Sequence, residues 1–252
     1  EPNGIWAGKA ARLLGLTGNV ETAEYRNIMH GYTPDKQYSL CQQAGKNHRH
    51  GWDLTFSAPK TVSVAWARAD QNLKAKIQAA HKQGVLEALT LLEQHAAITR
   101  RNKTGSTREK VIGLVASLFE HATSRAQDPQ LHTHCLIANV APREDGTWGT
   151  LESRDFYLWQ MAAGAIYRAE MATQLSKLGF DIEQDKNSFK LKGIPEKICE
   201  HYSKRSQVIK EELAKRGNAK STSKIGDIVS LNTRQKKAEI NRAELYKTWS
   251  SE

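Results

Sequence analysis

The chain has 252 residues, with 37 Lys and Arg against 27 Asp and Glu, which gives a formal net charge of +10 and a pI of about 9.5. This length allows one large domain or a domain with an added lobe, and the basic excess favours a polyanionic partner such as nucleic acid. A run of about 18 apolar residues and a signal peptide are both absent, which excludes membrane insertion and predicts a cytoplasmic protein. The three cysteines are scattered, which excludes a disulfide framework.

The first third of the chain predicts two short helices and then a strand. Helical spacing favours one helix over Trp6–Leu16, stopped by Gly15, and a second over 22–30, stopped by Gly31. Strict alternation of apolar and polar residues over Trp52–Phe56 is typical of a half-buried strand, with Asp53 on its polar face. His48 and His50 precede this strand among basic residues, so we expect them in a solvated loop.

The middle of the chain predicts a long helix and then a basic hairpin. Apolar residues recur at helical spacing over Gln71–Ala97, with His81 and His95 expected on the exposed face. A glycine-containing basic turn follows over 99–110. Two interpretations are open for it, a solvated hairpin or a finger that contacts a nucleic-acid backbone. Its basic residues are Arg100, Arg101, Lys103, Arg108 and Lys110.

Three of the nine histidines lie within fourteen residues, between two short apolar runs. The pattern predicts two neighbouring antiparallel strands joined at Asp128 and Pro129. Side chains two residues apart on a strand point to the same face, so His132 and His134 project together, while His121 approaches from the partner strand.

Three imidazoles without a carboxylate would leave the full charge of a divalent ion available to an anionic substrate such as a phosphate. Imidazole suits zinc, manganese, iron, copper and nickel, so this donor set does not specify one metal. A lone His-x-His pair is more often a surface or hydrogen-bonded pair than a metal site. The third histidine on the adjacent strand favours the metal interpretation.

The last third of the chain predicts helices. A long amphipathic helix is expected over 156–178, and a second is expected from Pro195 to Gly217. A small, polar stretch then predicts a linker, before a last helix that begins near Asn232. The expected core positions of the first of these helices are Trp159, Ile166, Tyr167, Met171 and Leu175.

Several sequence blocks resemble, in order, those of the MobF-type conjugative relaxases, which belong to the His-hydrophobe-His endonuclease superfamily. These blocks extend over nearly the whole chain. They are Trp6–Leu16 (WAGKAARLLGL), Asp53–Ser63 (DLTFSAPKTVS), Glu120–Arg125 (EHATSR), Asp128–His134 (DPQLHTH) and Asn232–Lys237 (NTRQKK).

The resemblance implies an α/β (α+β) two-layer fold, with a central antiparallel sheet, flanking helices and a C-terminal helical flap. It implies that His121, His132 and His134 bind one divalent metal ion, with Mg or Mn as the physiological ion and Zn or Ni as alternatives. Asp53 matches the family's catalytic acidic residue, which orients a ligand histidine and helps to activate the nucleophile. The implied activity is site- and strand-specific nicking and strand transfer of single-stranded DNA at a plasmid origin of transfer, with other relaxosome and transfer-machinery proteins as partners.

In that family a tyrosine attacks the scissile phosphodiester and leaves a 5′-phosphotyrosine. The family's tyrosines precede the WAGK block, so we expect the nucleophile upstream of residue 1 and expect residues 1–252 alone to be inactive. We expect a single domain over 1–252, with a core of about 1–195 and a helical, basic C-terminal lobe of about 196–252. The candidate DNA contacts are Lys60, Arg100, Arg101, Lys103, Arg108, Arg125, Arg234, Lys236 and Lys237.

Two other classes of function remain open from the residues alone. The first is a tri-histidine metal hydrolase, in which metal-bound water attacks the substrate and leaves two free ends. The second is a module that binds origin DNA without cleaving it. Analysis of the products and of the metal dependence of binding distinguishes these classes.

Overall fold

The computed structural model describes residues 3–101, 107–215, 228–229, 232 and 241–251. The described strands are β1 (Ile5–Ala7), β2 (Gly51–Ser57), β3 (Ile98–Arg101), β4 (Thr107–Lys110), β5 (Ala116–Thr123), β6 (Pro129–Ala138), β7 (Ala141–Pro142), β8 (Trp148–Gly149), β9 (Ile182–Asp185) and β10 (Ser188–Leu191). The described helices are α1 (Lys9–Leu13), α2 (Thr22–Met29), α3 (Lys60–Arg68), α4 (Gln71–His95), α5 (Arg154–Lys177), α6 (Glu196–His201), α7 (Lys204–Lys215) and α8 (Arg242–Ser251). The fold is therefore mixed α/β.

The protein contains a four-stranded sheet in the order β1-β5-β6-β2. Strands β2 and β6 show the alternation of more and less buried side chains predicted from the sequence. Strand β1 is antiparallel to β5, and β2 is antiparallel to β6. A turn joins β5 to β6, in which the backbone N–H of Ser124 donates to the carbonyl of Asp128 at 2.9 Å. The predicted antiparallel sheet with flanking helices is confirmed.

The WAGK block forms a corner between a strand and a helix, so the predicted helix over Trp6–Leu16 is wrong at its start. Trp6 pairs with Ser117 in the sheet, and the helix begins only after Gly8. Gly8 has φ 91°, and a Cβ at this position would lie 2.1 Å from the carbonyl oxygen of Leu114. Only glycine fits this close approach. Edge pairing with β5 thus overrides the helical spacing of the sequence.

The chain divides into two compact units that interleave along the sequence. The first unit comprises 1–57, 79–121 and 132–177, and the second comprises 58–78, 122–131 and 178–252. All three histidines of the predicted metal site belong to the first unit. The single-domain prediction with a boundary near residue 195 stays a prediction.

The two long helices confirm most of the predicted core and correct two positions. Tyr167, Met171 and Leu175 of α5 are buried as expected, whereas Ile166 is 40% exposed. In α4, His95 is exposed as predicted, but His81 is fully buried. His81 follows Ala80 on the inward face of the helix and is accommodated there by hydrogen bonds, which sequence spacing does not reveal.

The C-terminal part differs from the single helix predicted from Pro195 to Gly217. It contains two helices, α6 and α7, which are separated at Tyr202 and Ser203. The predicted flap lies outside the described residues except at 228–229 and 232. None of the described helices is long and apolar enough to cross a membrane.

Candidate metal centre

Strands β2, β5 and β6 bring the predicted site residues to one face of the sheet. In the register of β2 with β6, Thr55 lies opposite His134 and Phe56 lies opposite Thr133. His132 and His134 are partly exposed, while Thr133, between them, is buried on the opposite face. The alternation predicted around His132 and His134 in β6 is therefore confirmed.

The three histidines form a nearly equilateral triangle. The ring centroids are 5.3 Å apart for His121 and His132, 5.4 Å for His121 and His134, and 5.3 Å for His132 and His134. Imidazoles that share an ion through bonds of about 2.0–2.1 Å have ring centroids about 5 Å apart. The spacing of the three rings therefore fits a tri-histidine site.

In the part of the chain that the structure describes, no group of three or more His, Cys, Asp or Glu side chains is arranged to hold a metal ion without rearrangement. The rings of His121 and His132 lie nearly parallel, at 22°. The donor set and the ring spacing fit a metal ion, and binding would require a change in the arrangement of these side chains.

Asp53 holds His134 in a defined orientation. Nδ1 of His134 lies 2.8 Å from Oδ2 and 3.0 Å from Oδ1 of Asp53, and 3.2 Å from Oγ1 of Thr55. A carboxylate accepts but does not donate, so Nδ1 carries the proton and the lone pair is left on Nε2. This hydrogen bond is the one by which ligand histidines are usually oriented in metal sites. Thr55 was not among the predicted site residues, although its place on the polar face of β2 pointed to it.

A buried polar chain lies behind the histidines, on the other face of β6. Nδ1 of His81 lies 2.8 Å from the hydroxyl of Tyr167, and Nε2 lies 2.8 Å from Oγ1 of Thr133. Burial, with a smaller contribution from the nearby His132, lowers the pKa of His81 to about 3. His81 is therefore a neutral imidazole at neutral pH.

Two tyrosines near the sheet have pKa values that oppose their use as a phenolate. Burial, and to a lesser degree the charge of Asp53, raise the pKa of Tyr25, whose ring packs edge-on against Phe119 with centroids 5.7 Å apart. Burial also raises the pKa of Tyr167. Neither hydroxyl is activated as a nucleophile in this arrangement.

The arginines of the basic hairpin are paired with carboxylates. Arg100 lies 2.8 Å and Arg108 lies 2.7 Å from Glu152, and Arg108 also pairs with Asp155. Arg101 lies 2.7 Å from Asp145. These pairs favour the structural interpretation of the hairpin, because a paired guanidinium must give up its carboxylate before it neutralises a phosphate. Contact of these arginines with DNA stays a prediction.

The other predicted DNA contacts have varied surroundings. The ammonium of Lys60 is partly buried and donates to the carbonyls of Pro129 at 3.0 Å and Tyr202 at 2.9 Å. Burial lowers the pKa of Lys60, which favours a structural role over a phosphate contact. Arg125 is partly exposed in the turn between β5 and β6. Four further candidates lie outside the described residues, namely Lys103, Arg234, Lys236 and Lys237.

His48 is not in a solvated loop, contrary to expectation. Its side chain is buried, and Nδ1 lies 3.3 Å from Sγ of Cys41. His50 is exposed as predicted, and its ring lies 4.8 Å from that of His30. The contact with this thiol explains why His48 is buried. The basic residues next to His48 in the sequence give no sign of that contact, because Cys41 lies seven positions away.

The whole chain matches one known protein family. A family model described as TrwC relaxase matches residues 1–252, and the chain belongs to this family. The chain is 36% identical over 261 residues to the multifunctional conjugation protein TraI of Escherichia coli (strain K12). The match covers 96% of this chain and 14% of that TraI protein, so the chain spans about one seventh of that relative's length.

Solved structures of the conjugative relaxase TrwC have the same fold. A complex of TrwC with mutant OriT DNA is 34% identical and has a TM-score of 0.89, covering 98% of this chain and 89% of that chain. A metal-bound complex of TrwC with OriT DNA is also 34% identical, with a TM-score of 0.89, and covers 99% of this chain and 87% of that one. The predicted relaxase family and fold are both confirmed.

Proposed function

We propose that this chain is the relaxase domain of a bacterial conjugation protein, which nicks single-stranded DNA at a plasmid origin of transfer and transfers the cut strand. The observation that carries the proposal is the triangle of His121, His132 and His134, with Asp53 hydrogen-bonded to one of them, in a member of the TrwC relaxase family. We place its action in the bacterial cytoplasm, together with other relaxosome and transfer-machinery proteins.

A divalent metal ion belongs to this proposal. TrwC has been solved with OriT DNA in metal-bound and metal-free forms. In this chain the three imidazoles would hold the ion, and Mg or Mn is proposed as the physiological choice, with Zn or Ni as alternatives. A bound ion would act as a Lewis acid on the scissile phosphate and would stabilise the charge that develops on its oxygens.

The chain's own residues prepare this site. Asp53 keeps the proton of His134 on Nδ1, and the neutral ligand set adds no negative charge that would repel a phosphate. In the proposed reaction a tyrosine oxygen forms a bond to phosphorus as the bond from phosphorus to the 3′-oxygen breaks. The phenol proton is released, and the departing oxygen takes up a proton to become a 3′-hydroxyl. The phosphotyrosine retains the bond energy needed to rejoin the strand.

The products of the reaction test this function. We would incubate the full natural protein, rather than residues 1–252 alone, with end-labelled single-stranded origin DNA and Mg²⁺. We expect a protease-sensitive protein–DNA adduct and a free 3′-hydroxyl. Two free DNA ends would instead indicate a metal hydrolase that uses water. Stable binding without cleavage, in Mg²⁺ and in Mn²⁺, would indicate the non-cleaving binding module.

Replacing Asp53 with Asn should lower metal affinity by about 10- to 100-fold, because the carboxylate that orients His134 loses its charge. Isothermal titration of both proteins with Mn²⁺ measures the change. Asp185→Asn is a matched control, since it removes the same charge from an exposed strand position. Equal affinity for Mn²⁺ in the Asp53 variant and the wild type would contradict an orienting role.

A further inference from the structure

Tyr167, His81 and Thr133 form a buried chain of hydrogen bonds behind β6, the strand that carries His132 and His134. Thr133 lies between His132 and His134 in the sequence and points to the opposite face of β6. Its hydroxyl contacts Nε2 of His81 on α4, and Nδ1 of His81 contacts Tyr167 on α5, both at 2.8 Å. The chain thus links two helices to one point on β6.

All three side chains are removed from water. His81 is 0%, Tyr167 is 2% and Thr133 is 3% exposed. A buried polar group costs free energy unless it is hydrogen-bonded, so each of these groups needs the others. An apolar side chain could fill this space without needing a hydrogen-bond partner. The three hydrogen-bonded side chains therefore contribute more to a defined geometry than to the stability of the fold.

The two hydrogen bonds also fix the orientation of the His81 ring. A neutral imidazole has one N–H donor and one lone pair, so either Tyr167 donates to Nδ1 and Nε2 donates to Thr133, or both bonds run the other way. In both cases the ring of His81 has one orientation. Tyr167 also packs against Phe56 with ring centroids 5.4 Å apart, and Phe56 is the partner of Thr133 across β2 and β6. The same tyrosine therefore contacts β2 directly through Phe56 and is linked to β6 through His81.

We propose that Tyr167, His81 and Thr133 are positioning residues, which hold β6 so that His132 and His134 present their imidazoles to a metal ion. This inference rests on the proposed metal site. Strand β6 is held on its front by Asp53 at His134 and on its back by His81 at Thr133. Loss of the back contact frees the segment between the two ligands, so their relative orientation relaxes.

Tyr167→Phe tests this inference, because it removes one hydroxyl and keeps the aromatic packing. With Co²⁺ as the probe, we expect about a 10-fold loss of affinity and a changed visible absorption spectrum, as for other residues that orient ligands indirectly. Thr133→Val should have the same effect. Both substitutions break the same chain of hydrogen bonds. The double variant should therefore lose little more Co²⁺ affinity than either single variant.

A purely structural role would lower stability without changing the metal site. Met171→Ala, four residues further along α5, is the matched control, since Met171 is fully buried. Urea denaturation should show a loss of stability in Met171→Ala at least as large as in Tyr167→Phe, with Co²⁺ affinity and spectrum unchanged. Unchanged Co²⁺ binding in Tyr167→Phe and Thr133→Val would overturn this inference alone. Failure of the wild type to bind Co²⁺ would overturn the proposed metal site, and this inference with it.

Discussion

Replacing any one of His121, His132 or His134 with Ala should lower the affinity for Mn²⁺ by about 100-fold or more, because even residues that only orient a ligand contribute about 10- to 100-fold. In the full natural protein, each variant should also lose formation of the protein–DNA adduct. Isothermal titration and the adduct assay measure these two effects, and circular dichroism checks that the fold is retained.

The matched control for these variants is His95→Ala, which removes an exposed imidazole at the end of α4. His95 stacks on Trp159, with ring centroids 4.2 Å apart. The substitution therefore removes an imidazole that has an aromatic ring contact, as the three site histidines have, but at a position outside the site. We expect wild-type Mn²⁺ affinity in this variant. Wild-type affinity in all three site variants would show that the metal binds elsewhere.

Binding to single-stranded DNA should weaken steeply as salt is raised. The net charge of +10 favours contacts with phosphates, and each contact on a single strand contributes a slope of about −0.7 in a plot of log affinity against log salt. With about five contacts, an increase from 50 to 200 mM KCl would weaken binding by about 100-fold. Fluorescence anisotropy of a labelled oligonucleotide measures the slope.

Two arginine variants test which part of the surface causes the salt dependence of DNA binding. Arg125→Gln, at a predicted contact, should reduce the magnitude of the slope by about 0.7. Arg108→Gln should leave it unchanged, because that guanidinium is paired with Glu152 and Asp155. A slope near zero in the wild type would remove phosphate contacts as the basis of binding, and a reduced slope for Arg108→Gln would show that its ion pairs open on DNA.

The sheet and the histidine triangle could be predicted from the sequence because both depend on local alternation. The pattern around His132 and His134 fixes their common face, and a short turn places β5 beside β6. The role of Asp53 came from the resemblance to a family. No local pattern showed that a carboxylate 81 positions before His134 would contact its ring.

The errors arose where partners distant in sequence decide burial or charge. His81 was expected on the exposed face, but its hydrogen-bond partners lie 86 and 52 positions away. The sequence leaves two interpretations of the basic hairpin open for a similar reason, since the carboxylates that pair with Arg108 lie 44 and 47 positions further on. Tertiary contacts of this kind override what composition and spacing favour locally.

The register of β6 makes the site sensitive to the insertion or deletion of single residues. Side chains alternate with a period of two, so a slip of one position against β2 exchanges the two faces of the strand. A slip in one direction would put Thr133 and Cys135 in the places of His132 and His134. Burial on the inner face, more than the charge of Asp53, raises the pKa of the Cys135 thiol to about 12. Natural variation in length is therefore expected in the loops outside β6, while the number of residues between the two histidines stays at one.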